Sequence, residues 1–336
     1  MTALYFFAGR AKQVEVDSGH RLVMGTFARI VAIAADAKVA DKAIKAALVE
    51  IESVDKLMSD YKSDSEISRV NRDGFARPVA VSEPTYGVLE KSIEFSKLTG
   101  GAFDITVGPL VDLWRSAGKK SRAPTEEELA AAKAKVGFEK LILDDNNRTA
   151  KFAVEGMRLD LGAIGKGYAV DKAIEAAQRA GALGAMVDLG GHIRCFGKPA
   201  RGRKKWLIGL QDPKAMKNPE FQAPGLSESG ILLTLKLTEQ AVATSGDYQQ
   251  FVLIDGKRYS HIINRRTGAG AEGLSSVTII TDSATDADAL ATAVSIMGVE
   301  KGLALIEKMP NAEAIVITSP PKYKLVKTMG AEKYLK

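Results

Sequence analysis

Two separate stretches of this sequence carry side chains that could act on one ligand. The first, Asp160-Leu161-Gly162-Ala163-Ile164-Gly165-Lys166-Gly167-Tyr168, reads as a strand running into a glycine turn and then a helix. A glycine turn that opens a helix offers backbone N–H groups to a phosphate. The second, Ala287-Asp288-Ala289-Leu290-Ala291-Thr292-Ala293, reads as a helix with a carboxylate and a hydroxyl one turn apart. At that spacing both oxygens lie on one face, where a hard cation could take them. Together they point to a phosphorylated ligand held with Mg²⁺.

Each of these residues also has a plainer reading. The turn is not a P-loop, because it lacks the longer spacer and the Ser or Thr after Lys, and it is not GxGxxG. A glycine turn can simply connect a strand to a helix. Lys166 argues for more, since a cation at a helix start opposes the macrodipole unless an anion lies nearby. Thr285 and Asp288 resemble a capping box, in which Asp288 only holds the helix start and Thr292 is filler. Mg²⁺ takes about six oxygens and often keeps waters or phosphates. Asp288, Thr292, a backbone carbonyl from a turn such as Gly162-Ala163 and a diphosphate would therefore suffice.

Other candidates are less specific. Thr244-Ser245-Gly246-Asp247-Tyr248 is a polar turn after a strand, or a cap. His261 follows Tyr259-Ser260 on an expected strand and is packed, exposed or catalytic. Phe103 and Tyr61 lie beside polar, loop-like residues. They are core aromatics or a stacking surface for a flat ring.

The elements that must position these residues follow from periodicity and breakers. Residues 24–34 read as a strand, and 36–58 as a helix with the stripe Val39, Ala43, Ala47, Ile51, Val54 and Met58. Residues 59–73 are polar and irregular. A helix over 85–99 stops at Gly100-Gly101. Residues 102–107 read as extended and broken by Gly108-Pro109, and 119–124 as an exposed loop. Thr125-Glu126-Glu127-Glu128 is a capping box that starts a helix ending near Gly137. Residues 140–143 and 149–154 form a hairpin. Residues 157–161 are a strand that delivers the glycine turn, and 166–180 a helix ended by Gly181.

Further strands are expected at 185–189, 193–196, 206–210, 231–237, 241–244, 251–254, 258–263 and 277–281, with Asp255-Gly256 as a hairpin turn. Residues 213–229 read as a long surface loop. Helices at 286–297 and 299–308 precede a last strand at 314–318. Runs of strands with helices between them predict an α+β fold with mixed or antiparallel sheets and flanking helices. The expected organisation is an N-terminal extension, 1–20, and a single domain, 21–330.

Composition bounds the rest. The 336 residues, 46% hydrophobic and 26% charged, can bury a sizeable core. The net charge of +6 is modest. The basic runs Arg201-Gly202-Arg203-Lys204-Lys205 and Lys119-Lys120 with Arg122 read as solvated loops. With only Trp206 beside the first run and no recognition motif, nucleic acid is not an expected partner. Anionic lipid or an acidic partner stays open.

Cys195 is the single cysteine, which excludes an intramolecular disulfide and a multi-cysteine metal site. An oxidising compartment is still allowed. The histidines His20, His192 and His261 have no helical metal-ligand spacing among them. The apolar start at 3–8 is too short to span a bilayer and is not a signal peptide as written. The compartment is therefore open between cytoplasm and an exported protein lacking its targeting segment.

With these residues collected, the chain resembles the ApbE family of flavin transferases, the FAD:protein FMN transferases. An ordered series carries the resemblance. It begins with Met24-Gly25-Thr26, Met58-Ser59-Asp60-Tyr61, Ser65-Glu66-Ile67-Ser68 and Asn71. It continues through Gly101-Ala102-Phe103-Asp104-Ile105-Thr106-Val107-Gly108-Pro109-Leu110 and Leu113-Trp114. After the glycine turn come Asp188-Leu189-Gly190-Gly191, the turn beginning at Thr244, His261-Ile262-Ile263, Thr267-Gly268 and the helix at Asp288.

The resemblance implies Mg²⁺-dependent cleavage of FAD and transfer of FMN, through a phosphoester, to a threonine of an acceptor flavoprotein of the electron-transport type. It implies metal ligands at Asp288, Thr292 and the carbonyl of Ala163. It implies FAD contacts at Met24, Tyr61, Ala102, Phe103, Asp104, Asp160, Lys166 and Ile262. A T-fold-like architecture and a bacterial cell-envelope or periplasmic location, often on a lipid anchor near the membrane, are implied too. The chain departs from the family pattern where His-Ile-Ile-Asp-Pro reads His261-Ile262-Ile263-Asn264-Arg265, in two small residues of the glycine turn, and at Ile105.

The chemistry expected from such a site is displacement at phosphorus. An acceptor hydroxyl attacks the FMN-side phosphorus and AMP leaves, while the cation and Lys166 offset the growing charge. His261 is the candidate to take the hydroxyl proton, because imidazole titrates near neutral pH. With water as acceptor the same site would be an FAD pyrophosphatase. A flavin-binding or flavin-delivery protein without chemistry is the alternative from another class.

Overall fold

The computed structural model describes residues 13–213, 230–246, 251–254 and 256–336. The apolar start at 3–8, residues 214–229 of the expected surface loop, and Asp247, Tyr248 and Asp255 lie outside the described residues.

The described chain opens on a hairpin of β1 (Val14–Val23) and β2 (Thr26–Ala34), then enters α1 (Ala37–Met58). Next come α2 (Glu66–Asp73), β3 (Val79–Ala80), α3 (Glu83–Leu98), α4 (Gly108–Lys120) and α5 (Glu126–Lys133). A hairpin of β4 (Leu141–Asp144) and β5 (Thr149–Phe152) precedes α6 (Gly165–Arg179), β6 (Gly184–Leu189) and β7 (His192–Gly197). The second half holds β8 (Trp206–Gln211), β9 (Ile231–Leu237), β10 (Ala241–Gly246), β11 (Phe251–Ile254), β12 (Lys257–Ser260) and β13 (Leu274–Thr281). It ends with α7 (Ala284–Ile306), β14 (Glu313–Thr318), β15 (Leu325–Lys327) and a 3₁₀ segment, Met329–Tyr334. The chain adopts the expected α+β class.

One 8-stranded sheet, ordered β1-β2-β6-β7-β10-β13-β14-β15, is antiparallel throughout. Side chains alternate across a strand, and here both faces are covered. Ile30 and Ala32 of β2 and Val277 and Ile279 of β13 join a core with α1, α6 and α7. Val31, Ile33 and Ile280 join a second core with Trp206, Ile208, Leu235 and Leu237 of the β8–β9 pair. Coverage on both sides is why β13 is buried at every residue. Cys195 of β7 sits in the second core, and burial, with the charges of Glu239 and Asp188, holds its thiol far above the usual range. A third cluster packs Leu110, Trp114 and Ala117 of α4 against Ile254 and Ile263.

Helix α7 is the centre of the first core. A mean hydropathy of 1.6 over an 18-residue stretch makes this 23-residue helix, among the described residues, the one long and apolar enough to cross a membrane. An all-round apolar helix is equally what a core element looks like, and Leu290, Ala291, Val294 and Ile306 are fully buried here. Gly298, at φ 79°, breaks its regularity between the two helices read from the sequence.

Several expectations are corrected. Strand β1 spans the boundary drawn at residue 20, pairing with β2 on both sides of an irregularity between Asp17 and His20. The segment read as irregular contains α2, capped by the Ser65 hydroxyl and anchored by buried Ile67 and Val70. Pro109 does not end an element. It begins α4, where a missing N–H costs nothing, and α4 runs through Lys120 into the supposed loop. Residues 102–107 and 157–161 form no strands. They share the single bridge Val107↔Arg158. The amide of Asn71 serves Leu159 instead, donating to its carbonyl at 3.0 Å and accepting its N–H at 2.7 Å, as a neighbouring strand would. Strand β12 stops at Ser260, so His261 lies beyond it.

Candidate functional site

The ladder between β7 and β10 pairs only Ala241↔Arg194 and Val242↔Ile193. Beyond it Gly191 and His192 on one side and Thr244 and Ser245 on the other border a cavity of about 1160 Å³. The cavity exceeds the common ligand-pocket range of roughly 300–1,000 Å³ and so has room for a dinucleotide. Every site residue expected from the sequence borders it: Met24, Tyr61, Ala102, Phe103, Asp104, Asp160, Ala163, Lys166, His261, Ile262, Asp288 and Thr292.

The glycine turn is held by its own side chains. Asp160 Oδ1 accepts the Gly162 N–H at 2.8 Å, and Lys166 Nζ donates to the Gly162 carbonyl at 2.9 Å. Gly167 is where α6 and α7 touch. A Cβ there would stand 2.2 Å from the Ala284 carbonyl oxygen and 2.8 Å from Asp288 Cβ. Its N–H donates to Asp288 Oδ2 at 2.9 Å. The turn and the apolar helix are thus one unit.

Asp288 does not cap α7. Ser283 does, accepting the Asp286 N–H. Asp171 of α6 reinforces that helix start from outside, accepting from the Ala284 and Thr285 N–H groups, both hydroxyls nearby and Arg194. Asp288 lies past the first turn and points across to α6 and β7. Burial alone would raise its pKa. The charges of His192 and Lys166, with hydrogen bonds from His192 and the Gly167 N–H, outweigh it and leave the pKa lowered. The group is therefore an ionised carboxylate on the wall of a cavity.

These residues fit a hard cation. Each Asp288 oxygen has one close partner, Gly167 N or His192 Nε2, and each carboxylate oxygen can take about two. Thr292 stands one turn along the same helix, and Ala163 sits in the turn opposite.

The residues expected to contact the flavin divide. Tyr61 is 78% exposed at the mouth. Arg115 Nη2 donates to its hydroxyl at 2.8 Å, and the guanidinium lies 5.2 Å from the ring centre. Phe103 is a core residue, 1% exposed and edge-on to Phe95. Its ring is not an open stacking face. Met24 occupies the β1–β2 turn at φ 50°, with Gly25 at 68°, the pattern of a type I′ hairpin turn. A bulky residue in that conformation is strained, as is common at binding sites.

Asp104 is fully engaged. Oδ1 accepts from the Thr106 N–H and hydroxyl, and Oδ2 from the Phe138 N–H and Arg265 Nη1. Arg265 also reaches Glu139 and lies over the Phe138 ring. It fills the space that a Cβ on Gly101 would need. Where the family pattern has an acid and a proline, this chain thus ties the 261–265 segment down with an ion pair. Ile262 is held there too, its carbonyl accepting the Ala271 N–H at 2.7 Å. His261 is exposed on the rim. Nearby, burial and the charge of Asp160 push the Asp60 pKa up, against Arg158 and Arg115.

His192, Asp171, Arg115 and Arg265 escaped sequence reasoning. His192 meets Asp288 across 96 residues of chain, and no local spacing encodes that pairing. Arg265 was visible only as a departure, with no partner to give it meaning.

The ApbE family model matches residues 24–316. The chain is 37% identical over 261 residues to an FAD:protein FMN transferase of Vibrio cholerae, covering 76% of this chain and 74% of that protein. A relative of the same description from Haemophilus influenzae is 34% identical over 273 residues, covering 80% and 76%. Among solved structures, the ApbE protein of Thermotoga maritima superposes with TM-score 0.82 at 30% identity, covering 97% of this chain and 100% of that one. The flavin transferase ApbE of Vibrio cholerae superposes with TM-score 0.79 at 33% identity, covering 97% and 100%.

Proposed function

The chain belongs to the ApbE family and is a flavin transferase, and from that premise we propose that it moves FMN from FAD to a threonine hydroxyl of an acceptor protein, with Mg²⁺ bound and AMP released. One observation carries the reading. The ionised, buried carboxylate of Asp288 meets the glycine turn of Lys166 on the wall of a cavity large enough for FAD.

Asp288, Thr292 and the Ala163 carbonyl would hold the Mg²⁺. When bound, it supplies positive charge against the oxygens of the diphosphate. Lys166 leaves the Gly162 carbonyl to meet the same anion. Tyr61, steadied by Arg115, stacks on the flavin ring at the mouth. The acceptor hydroxyl attacks the FMN-side phosphorus and AMP departs with the broken P–O bond. His261 takes the hydroxyl proton. Its exposure on the rim, where a protein-borne hydroxyl arrives, supports that role.

The test combines the protein with FAD, Mg²⁺ and a threonine-containing acceptor peptide. AMP and flavin-bearing peptide should form in equal amounts, and chelator should stop both. Modification of a threonine-to-alanine peptide would remove threonine from the reading. Turnover that survives chelation would remove the cation. AMP with free FMN and no labelled peptide would make hydrolysis the activity of this site.

A further inference from the structure

Strand β10 keeps part of one edge free inside the cavity. Its last pair with β7 is Val242↔Ile193, because β7 begins at His192, where the chain turns back to β6 through Gly190-Gly191. Two observations fix where the next main-chain groups point. The Cys195 N–H donates to the Gln240 carbonyl at 3.0 Å, so Gln240 and, two and four residues on, Val242 and Thr244 turn their main-chain groups to the β7 side. On the other side Thr244 lies opposite Thr278 with the two hydroxyl oxygens 2.9 Å apart, as in a pair that exchanges no main-chain bonds. The N–H and C=O of Thr244 therefore aim away from β13, along the line that β7 has left. Among the described residues no strand lies opposite them, and Thr244 borders the cavity. Main-chain groups so placed call for a partner.

Resting on the transfer proposed above, the geometry points to an extended segment of the acceptor protein as that partner, added to the free edge of β10 as a strand. The positions expected to contact FAD lie on other elements, and none is on β10. Asp288 is 2% exposed. A hydroxyl carried on a folded surface does not reach a diphosphate held beside it, whereas an extended chain inside the cavity does. Alternation then orients the threonine. On this edge Val242 and Ile193 face the β8–β9 side, while Ala243 and His192 face α7. An acceptor residue paired with Thr244 turns its side chain to β8. Both its neighbours turn theirs to α7, where Asp288 lies. The modified threonine is one of those neighbours, and its own N–H points away from β10.

The experiment uses the full chain, FAD, Mg²⁺ and the threonine-containing peptide, the peptide made in versions N-methylated at one residue at a time. This scan needs no variant to fold. Methylation at one of the two residues flanking the threonine should raise the peptide KM about tenfold, the upper end for one main-chain hydrogen bond, with kcat kept at saturating peptide. Methylation of the threonine nitrogen itself should change KM by less than about threefold. Thr244→Pro, which an open strand edge tolerates, should raise KM for the unmethylated peptide by a similar factor to the flanking methyl group. Loss at the threonine nitrogen but at neither neighbour, or at no position, would overturn the added strand while transfer stands. A flat scan with FAD affinity reduced in Thr244→Pro would give the edge to FAD instead. If the unmethylated peptide takes no FMN, the transfer reading itself falls, and this assignment with it.

Discussion

At the scale of residues, the site depends on a few side chains whose partners can be removed singly. His261 is exposed and lies outside any strand, so its loss should not disturb the fold. His261→Asn is expected to keep FAD and Mg²⁺ affinity and to slow transfer by about 10²–10⁴-fold, the usual scale for a lost general base. Separate measurement of binding and maximal rate decides this, and an unchanged rate removes the assignment. Arg265 offers a contrasting case. It pairs with Asp104, whose side chain is 0% exposed. Arg265→Ala should cost about 3 kcal/mol, because it strands a buried charge, and should raise the FAD concentration needed for half-maximal rate. Lysine should restore little of it, since it cannot span Asp104 and Glu139 with a planar fork. A variant that melts and binds like the wild type would show the ion pair to be incidental.

At the scale of elements, α6 and α7 form one assembly, and two residues make it so. Gly167 allows the approach, and Asp171 fastens the start of α7 to α6 and, through Arg194, to β7. Asp171→Ala leaves two helix N–H groups, two hydroxyls and a guanidinium without their acceptor. The expected loss is about 3–5 kcal/mol, read by urea unfolding, and cation affinity should fall with it because Asp288 rides on the same helix. Asp171→Asn, which keeps an acceptor oxygen, should fall between. A loss for alanine smaller than about 1 kcal/mol, the worth of an ordinary cap, would mean that the fastening is minor.

The sequence made α1, α6 and both halves of α7 readable, because their apolar stripes and glycine stops are local signals. It concealed what depends on distant partners. Thr285 and Asp288 imitate a capping box, yet the true cap is Ser283 with Asp171 in support. Residues 157–161 have strand composition but take Asn71 as neighbour in place of a strand. The short α2 holds only Ile67 and Val70 as buried apolar residues, too few to show a period.

At the scale of the whole molecule, the two-sided sheet explains where the site is. A sheet covered on one face by helices and on the other by β8 and β9 has no solvent face in its middle. A ligand can enter only where neighbouring strands part, and β7 and β10 part beside the start of α6. The candidate positions scattered from Met24 to Thr292 converge there because that opening is where the hairpin turn, the glycine turn and α7 meet. The ordered motifs named residues that border this opening. The parting of two strands that lie next to each other only in space gave no signal along the chain.

The lone thiol makes the second face measurable. Cys195 is the chain's only sulfhydryl, 0% exposed beneath β8 and β9, and burial keeps it protonated. An aromatic disulfide reagent is attacked only by a thiolate that it can reach, releasing its aromatic thiolate as the mixed disulfide forms, so each labelling event timestamps one opening of the β8–β9 cover. In native buffer the reaction should be slower by orders of magnitude than in denaturant, where one equivalent should react at once. The ratio of the two rates reports the opening free energy of that face alone. FAD added to the protein should slow labelling further, since Ile208 and Leu210 of β8 also wall the cavity. Rapid native labelling, or a rate indifferent to FAD, would mean that the cover moves independently of the flavin chamber it helps to enclose.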